Sequence, residues 1–486
     1  MIEELRVEID RLRGATAPLE PDSQERRRLG SEALEHALTF LDQVETAPSL
    51  RPASEVFRQR LDPEFTEEGR TAAAVLDYVG ACIDRPGIAT TSPRFMGYIP
   101  GGGLFYSALG DMLAAASNKY SGFAPAAPGA VRIENACTDW LSSVIGYPAE
   151  SAGTLTSGGS MANLTAIVAA REARDCVGGG AVYLTRFAHH CIDKALHIAG
   201  RGRSPRRLIA TDVAYRMSVE GLEEALAEDR RNGIRPWLIV ASAGTVDTGA
   251  IDPLLKIAEL AGRYGAWLHV DGAYGGLFAL CDAGRGLLRG IEQADSVALD
   301  PHKTLFLPYG TGAAIVRDGS LLFNAFSASA DYIHPFAETD VGPSPSDLSP
   351  ELTRHFRALR LWLPLQVAGL GAFRAAQAEK LALARYFHAR LSEMEGFDPG
   401  PPPDLSVVAF RYLPKNGDID EFNQRLMNQI QQEGRVMLSG TRIDGSYYLR
   451  CAILCFRTHL EHVDEAIDAI ARGVDAIGAQ AGRRLS

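Results

Sequence analysis

Several features of nucleic-acid-binding, membrane and secreted proteins are missing from this chain of 486 residues. Its 49 lysines and arginines are outnumbered by 60 acidic residues, and the formal charge of −11 leaves no positive field for nucleic acid or anionic membranes. The longest uncharged stretch, 151–170, contains Gly, Ser, Thr and Asn and makes a poor membrane-spanning helix. Residues 1–6 include two acidic side chains, whereas a signal peptide begins with a positively charged segment. We therefore expect a cytoplasmic protein with neither nucleic acid nor membrane as a partner.

Patterns that bind metals or form disulfides are missing as well. The seven cysteines are odd in number and include no CxxC pair, which favours reduced, buried thiols over a disulfide framework or a zinc ribbon. His459 and His462 lie in a predicted helix, but their spacing with Glu461 does not match the HExxH motif. We interpret both histidines as surface residues and predict no metal site.

Two nucleotide-binding motifs and one hydrolase motif are also absent. The sequence has neither the GxGxxG fingerprint nor a Gly-Lys-Ser/Thr phosphate loop, so dinucleotide and P-loop nucleotide sites lose their usual support. The segment 158–162 differs by one residue from the nucleophile elbow GxSxG, because its last glycine is missing. This difference disfavours a serine hydrolase.

The composition and periodicity of the sequence predict an N-terminal arm and two domains. Residues 1–90 are charged, with a helical period at Leu34, Leu38 and Leu41, and are typical of an N-terminal helical arm. In 91–365, Gly-rich loops alternate with short apolar runs and amphipathic helices, which predicts a large α/β domain with a mostly parallel sheet. Residues 366–486 suggest a small C-terminal α+β domain. The segment 320–351 is rich in proline and aperiodic, as in a lid or a disordered segment.

The clearest local unit is a predicted βαβ segment from Trp237 to Val270. An apolar run, an amphipathic helix ended by Gly265 and a second apolar run follow one another there. Asp271 then stands at the carboxyl end of the second strand. Ligands of open α/β sheets bind at such ends, so Asp271 is a candidate functional residue.

A candidate anion site lies upstream of this unit. The segment 156–160, Thr-Ser-Gly-Gly-Ser, precedes an apolar helix pattern. Glycines let backbone N–H groups approach an anion, and the N-terminus of a helix adds positive potential. An ordinary capped helix would give the same pattern.

Three features together indicate a pyridoxal phosphate enzyme. They are the glycine-rich segment, Asp271 and Lys303, which follows the predicted strand 296–299. In such enzymes a lysine amine bonds to the cofactor aldehyde, a carboxylate keeps the ring nitrogen protonated, and an anion site holds the phosphate. Each feature alone has an ordinary explanation, since most lysines are surface charges and many strand-end aspartates are caps. Their joint occurrence favours the enzyme.

The sequence resembles the group II pyridoxal-phosphate-dependent decarboxylases, which include aromatic-L-amino-acid, glutamate, histidine and diaminobutyrate decarboxylases. The resemblance runs from about Phe95 to Arg457 and is carried above all by Pro301-His-Lys303 and by His269-Val-Asp271-x-Ala273. It implies the fold-type I, aspartate aminotransferase-like architecture: a large α/β domain with a mostly parallel mixed sheet, and a small C-terminal α+β domain. It also implies a homodimer with the active site at the subunit interface.

The resemblance also implies roles for individual residues. Lys303 matches the lysine that forms the Schiff base with pyridoxal phosphate, and Asp271 matches the partner of the ring nitrogen. His189 matches the histidine that stacks on one face of the ring, and Ala273 matches the alanine beneath the other face. The phosphate-side contacts are matched by Gly159, Ser160 and His302.

The resemblance implies decarboxylation of an L-amino acid to its amine. Tyr332 falls where the family has a mobile-loop tyrosine that protonates the carbanion carbon after CO₂ leaves, and a donor there favours the amine over the aldehyde. Tyr98, Tyr120 and Phe123 are candidate substrate-pocket residues and slightly favour an aromatic substrate. Acidic or diamino substrates, aldehyde synthesis, carbon–carbon lysis and a catalytically silent relative remain alternatives.

Four positions depart from the family pattern. Asp300 stands where the animal aromatic decarboxylases have asparagine. A carboxylate there would repel a phosphate unless it turned away, so we do not predict Asp300 as a phosphate contact. Val246 stands in place of a threonine near the substrate carboxylate, and Gly101 in place of another threonine. Gly272 replaces the commoner alanine, which we interpret as a packing difference. These departures bear on the identity of the substrate.

Overall fold

The computed structural model describes residues 1–52, 55–59, 65–174, 180–328 and 341–485. The chain folds as two units, Met1–Ser92 and Pro93–Ser486. Tyr332, to which the family resemblance assigns proton donation, lies outside the described residues.

The first unit consists mainly of helices, as the period of its sequence predicts. Its elements are α1 (Ile2–Ala15), α2 (Ser23–Asp42), β1 (Leu50–Arg51), α3 (Glu55–Gln59), α4 (Ala72–Val79) and β2 (Gly87–Ile88). The Asp22 carboxylate accepts a hydrogen bond from the Glu25 N–H at 2.8 Å and caps α2, and the Thr71 hydroxyl caps α4 in the same way. The strands β1 and β2 pair antiparallel.

A mixed sheet of seven strands forms the centre of the second unit. The strands are β3 (Ala152–Thr156), β4 (Ala181–Leu184), β5 (Arg206–Leu208), β6 (Pro236–Ser242), β7 (Trp267–Gly272), β8 (Ser296–Leu299) and β9 (Gly312–Val316). Their spatial order is β3-β9-β8-β7-β6-β4-β5. Only β9 runs antiparallel to its neighbours, while the other pairs are parallel. This confirms the mostly parallel sheet and the α/β class predicted from sequence.

Helices before and between these strands cover the sheet. They are α5 (Phe105–Ser117), α6 (Pro128–Ile145), α7 (Gly159–Ala173), α8 (Cys191–Ile198), α9 (Val219–Arg231), α10 (Leu254–Tyr264), α11 (Asp282–Leu287), α12 (Pro301–Thr304) and α13 (Gly319–Phe326). Every residue of β6, β7 and β8 is buried, as expected for parallel strands with both faces covered. Gly265 ends α10 at φ 70°, so the predicted βαβ unit is confirmed.

The C-terminal part of the second unit contains a smaller, antiparallel sheet. Its elements are α14 (Ala358–Glu393), β10 (Phe397–Asp398), β11 (Val407–Tyr412), α15 (Ile419–Glu433), β12 (Ser439–Ile443), β13 (Ser446–Ala452) and α16 (Leu460–Leu485). The strand order is β10-β11-β13-β12. The helix α14 is interrupted at Gly369, where φ is 74°, and spans residue 365. The domain boundary placed at 365 from sequence stays a prediction.

The structure also bears on the remaining histidines and cysteines. His462 is 1% exposed, so its interpretation as a surface residue is wrong, whereas the His459 side chain is half exposed and pairs with Glu379 at 2.7 Å. All six cysteines in the described ranges are buried, and no disulfide joins any of them. Across those ranges, no helix has both the length and the apolar composition needed to cross a bilayer.

Candidate active site

A cavity of about 310 Å³ opens at the carboxyl ends of the central strands of the large sheet. Its walls come from the loops that follow β3, β6, β7 and β8, together with residues that follow β4. Ligands bind open α/β sheets at this edge. The cavity therefore lies where the sequence places its candidate residues.

Lys303 points into the cavity from α12, the short helix that follows β8. Its ammonium group lies 3.0 Å from Oδ2 of Asp300. Burial alone would lower the pKa of Lys303, but the negative charges of Asp300 and Asp271 outweigh burial and raise it. Lys303 is therefore a charged amine held against a carboxylate before any ligand binds.

Asp271 and Ala273 come from the end of β7. The Asp271 side chain is 9% exposed, and its Oδ1 accepts a hydrogen bond from the Ala273 N–H at 3.2 Å. Both residues line the cavity. The strand end thus presents one carboxylate next to a small apolar side chain.

His189 reaches the cavity from the loop between β4 and α8. Its Nδ1 accepts a hydrogen bond from the Cys191 N–H at 3.3 Å. Burial lowers the pKa of His189, against the opposing charge of Asp271. The ring is accordingly neutral at pH 7 and offers a flat face to a ligand.

The glycine-rich segment before α7 forms one end of the cavity. Gly158 has a φ of 151°, which favours glycine, and a Cβ on Gly159 would lie 2.7 Å from Oδ2 of Asp300. The first N–H groups of a helix have no partner within it, so those of Gly159 and Ser160 are available to a ligand. Within the described residues, no side chain caps α7 at its N-cap Gly158, which favours an anion site over an ordinary capped helix.

His302 stands beside this segment. Its Nδ1 donates a hydrogen bond to the Thr311 carbonyl at 2.7 Å, so in the neutral ring Nε2 carries a lone pair. Nε2 lies 3.7 Å from Oδ2 of Asp300. Burial lowers the pKa of His302, although the charge of Asp300 opposes the effect.

Behind the cavity, a chain of hydrogen bonds links three elements. Nε2 of His269 donates to Oδ1 of Asn163 at 2.6 Å, and Nδ2 of Asn163 donates to the Gly159 carbonyl at 2.9 Å. Nδ1 of His269 lies 2.9 Å from the Ser296 hydroxyl, which also accepts from the Trp267 indole at 2.8 Å. The chain ties the glycine-rich segment to β7 and β8.

The structure brings seven of the sequence-predicted residues together around the cavity. They are Lys303, Asp271, Ala273, His189, Gly159, Ser160 and His302. Tyr98, Tyr120 and Phe123 are outside the cavity lining, and the first two are 58% and 37% exposed. The single chain therefore does not join these three aromatic residues to the cavity.

Sequence reasoning missed several residues of the site. Phe187, Cys191 and Ser242 line the cavity, and no motif marked them. Asp300 was set aside as a contact because a carboxylate repels phosphate, yet its side chain lines the cavity. The signal for it was its position three residues before Lys303.

Two of the departures from the family pattern have a structural reason. A Cβ on Gly101 would collide with the His302 carbonyl oxygen, so a threonine does not fit this backbone. A Cβ on Gly272 would lie 3.1 Å from the Ala298 carbonyl oxygen, which agrees with a packing difference. Val246 lines the cavity, and its own carbonyl accepts a hydrogen bond from Arg450 at 2.6 Å.

The residues present fit pyridoxal phosphate. An amine, a carboxylate at a strand end and a glycine segment that a Cβ would fill are the donors and the space that this cofactor requires. Lys303 would hold its aldehyde carbon, Asp271 its ring nitrogen, and the start of α7 its phosphate. Asp300 is the carboxylate next to the glycine segment, and its charge does not suit a phosphate there.

Comparison with known proteins agrees with this fit. The family model described as "Pyridoxal-dependent decarboxylase conserved domain" matches residues 55–413. The chain is 33% identical to an aromatic-L-amino-acid decarboxylase of Bacillus atrophaeus over 454 residues, 92% of this chain and 94% of that protein. It is 30% identical to an L-2,4-diaminobutyrate decarboxylase of Rhizobium meliloti over 462 residues, 92% of each chain.

A solved structure matches over nearly the whole chain. The crystal structure of Oryza sativa TDC with PLP and tryptamine has a TM-score of 0.88 and 25% identity, and the match covers 94% of this chain and 99% of that one. The fold-type I architecture implied by the family resemblance is thus confirmed.

Proposed function

The chain belongs to the pyridoxal-dependent decarboxylase family, and from that premise we propose that it converts an aromatic L-amino acid into the corresponding amine and CO₂. Amino acid decarboxylation with pyridoxal phosphate is the activity of the family. The observation that carries the assignment to this cavity is the placement of Lys303 and Asp271 on one edge of the sheet, beside the glycine segment. The choice of an aromatic substrate is the finer part of the proposal.

The cofactor supplies the electron sink for this reaction, since its ring accepts the electron pair that CO₂ leaves behind. Lys303 would hold the cofactor through its amine until the substrate amine replaces it. The Asp271 carboxylate would keep a proton on the ring nitrogen, and its bond from the Ala273 N–H orients it for that task. The neutral His189 ring would pack against the cofactor and exclude water from one face.

The cavity wall supports an aromatic or other apolar substrate side chain. Met161, Phe187 and Val246 are lining residues, and Phe187 is 6% exposed. Among the described lining residues Lys303 is the single lysine or arginine, and it is committed to the cofactor. An acidic substrate would need another cation to pair with its side chain.

Product analysis tests the proposed function. Cofactor-loaded protein is incubated separately with each L-amino acid, with 2,4-diaminobutyrate and with dihydroxyphenylalanine, and the products are weighed by mass spectrometry. We expect loss of CO₂ from aromatic substrates. Loss of CO₂ from diaminobutyrate or glutamate alone would overturn the aromatic assignment, and no such product from any of them would overturn decarboxylation.

We assign the proton that replaces CO₂ to Tyr332, on the family resemblance. For Tyr332→Phe we expect the product to shift from amine toward aldehyde, because the hydroxyl that protonates the carbon is lost. The ratio of amine to aldehyde, measured by mass spectrometry, checks this, with Tyr309→Phe as the matched control. An unchanged amine yield would show that another group donates the proton.

We also propose that the protein acts as a cytoplasmic homodimer with its active site at the interface. In support, Ile2, Leu5 and Ile9 of α1 are all more than half exposed at helical spacing, and such apolar stripes favour a protein partner. Tyr120 and Phe123 would then complete the cavity of the partner subunit. Light scattering after gel filtration should give about twice the chain mass of 52.4 kDa. A mass equal to one chain would overturn the dimer.

A further inference from the structure

Asp300 is the most unusual group in the candidate active site. It is 2% exposed, and its Oδ1 is buried with no hydrogen-bond partner among the residues that the structure describes. A buried carboxylate oxygen without a partner is costly, and native structures keep such groups mainly where they serve a ligand or a reaction. The position of Asp300 therefore calls for a functional explanation.

The charges around Asp300 do not balance. Its Oδ2 pairs with Lys303 at 3.0 Å, and the same lysine also faces the charge of Asp271. Two carboxylates thus share one ammonium group. The phosphate group of a cofactor adds close to two further negative charges at pH 7.

The other titratable groups nearby do not supply a second positive charge. Burial keeps His189 neutral by lowering its pKa, and keeps the Cys191 thiol protonated by raising its pKa to about 12. Arg360 faces His302 from α14, but its guanidinium is already paired with the Asp111 carboxylate at 2.7 Å. The start of α7 adds only partial positive charge, and a proton from solution would supply a full one.

Asp300 and His302 each offer an acceptor that a proton could occupy. The Thr311 carbonyl holds the hydrogen of His302 on Nδ1, so Nε2 turns a lone pair toward Oδ2 of Asp300 at 3.7 Å. Two acceptors face each other with no hydrogen between them. A Cβ on Gly159 would be 2.7 Å from the same oxygen, so this pair borders the proposed phosphate site.

We propose that Asp300 is a positioning residue through which this chain takes up one proton as it binds the phosphate of its cofactor, and that Asp300 and His302 share this proton. The inference rests on the proposed function, since it needs the phosphate at the start of α7. The proton removes one negative charge beside the phosphate. It also makes Nε2 of His302 a donor. An amide at position 300 would need no such proton.

Titration calorimetry tests this with pyridoxine phosphate, which lacks the aldehyde and so does not bond to Lys303. Binding at pH 8 in two buffers of different ionisation enthalpy gives the number of protons taken up. We expect about one proton per site and a Kd that rises about tenfold per pH unit above pH 7. Pyridoxine, without the phosphate, should show no such uptake.

Two variants distinguish an effect of the Asp300 charge from a merely structural effect of the substitution. For Asp300→Asn we expect less than about half a proton and a Kd that is nearly constant with pH. Asp295→Asn removes a carboxylate at the other end of β8 and should behave like the wild type. A change in Kd by one factor at every pH, with uptake unaltered, would mean a merely structural role and overturn the proposal.

Failure of the proposed function and failure of the proposed role of Asp300 would give different results. If borohydride fixes no pyridoxal phosphate on Lys303 of the wild type, the proposed function falls. If the cofactor is fixed but pyridoxine phosphate binds without proton uptake, only the role of Asp300 falls. Should Asp300→Asn not fold, as judged by circular dichroism, Asp300→Ser removes the same charge, and the wild-type measurement alone still decides.

Discussion

Two groups of buried polar side chains lie side by side around β7, and they differ in how far their hydrogen bonds are completed. The rear group consists of Asn163, Trp267, His269 and Ser296. The front group consists of Asp271, Asp300, His302 and Lys303. In the rear group every side-chain nitrogen and oxygen has a partner at 2.6–2.9 Å. In the front group one oxygen of Asp300 has no partner within the described part of the chain, and two carboxylates share one ammonium.

This difference indicates that the rear group supports the fold, whereas the front group serves ligand binding and reaction. Residues 269 and 271 are two apart on one strand, so their side chains share a face of the sheet. The completed rear bonds hold the glycine segment and the ends of β7 and β8 in one geometry. The front group has polar atoms without a hydrogen-bond partner in the described residues, and these atoms are available to a ligand. They lower the stability of the fold, and the rear group helps to offset this cost.

Lys303→Ala should give the largest effect and should act on the front group alone. Turnover is expected to fall at least about 10⁴-fold, because the amine that holds and releases the cofactor is gone. Borohydride should then fix no cofactor on the protein. Lys256→Ala, at an exposed lysine of α10, is the matched control and should retain full turnover. Residual turnover within tenfold of the wild type would place the reacting amine elsewhere.

The rear group should make the stability of the protein depend on pH in the acid range. Burial lowers the pKa of His269 to about 4, although the charge of Asp271 opposes this. The unfolded chain binds the proton near pH 6.5 and the native chain does not, so the stability is fully present above 6.5 and is lost as the pH falls toward 4.

The loss should reach about 3 kcal/mol, since each pKa unit is worth about 1.4 kcal/mol. Urea unfolding midpoints of the wild type and His269→Gln between pH 7 and 4 measure it. The variant should lack this part of the pH dependence. Equal slopes for the two proteins would contradict a neutral, buried His269.

Much of the site could be predicted because it depends on local sequence. The apolar run before Asp271 and the helix stop at Gly265 locate a strand end, and a strand end decides where a side chain meets the cavity. Lys303 follows from the same reasoning on β8. Asp271 and Lys303 both line the cavity.

The rest depends on contacts that no local pattern encodes. Asn163 and His269 are 106 residues apart, so their bond follows only from the packing of α7 on β7. The repulsion expected between Asp300 and a phosphate led us to discount it, but burial and Lys303 hold it in the cavity. Tyr120 and Phe123 stay predictions because one chain does not join them to the cavity.

The smallest expected effect concerns Lys303 and Asp300, the front pair. It tests whether the charges of this pair lower the stability of the fold. In the double variant Lys303→Met, Asp300→Asn, both charges are replaced by neutral side chains of similar size. The stability of the cofactor-free protein should stay within about 1 kcal/mol of the wild type, because the desolvation of a buried ion pair largely cancels its attraction. Urea midpoints measure it, with Lys256→Met, Asp295→Asn as the control. A larger fall in stability would show that the front pair supports the fold as the rear group does, and the contrast between them would then lie in exposure to the ligand alone.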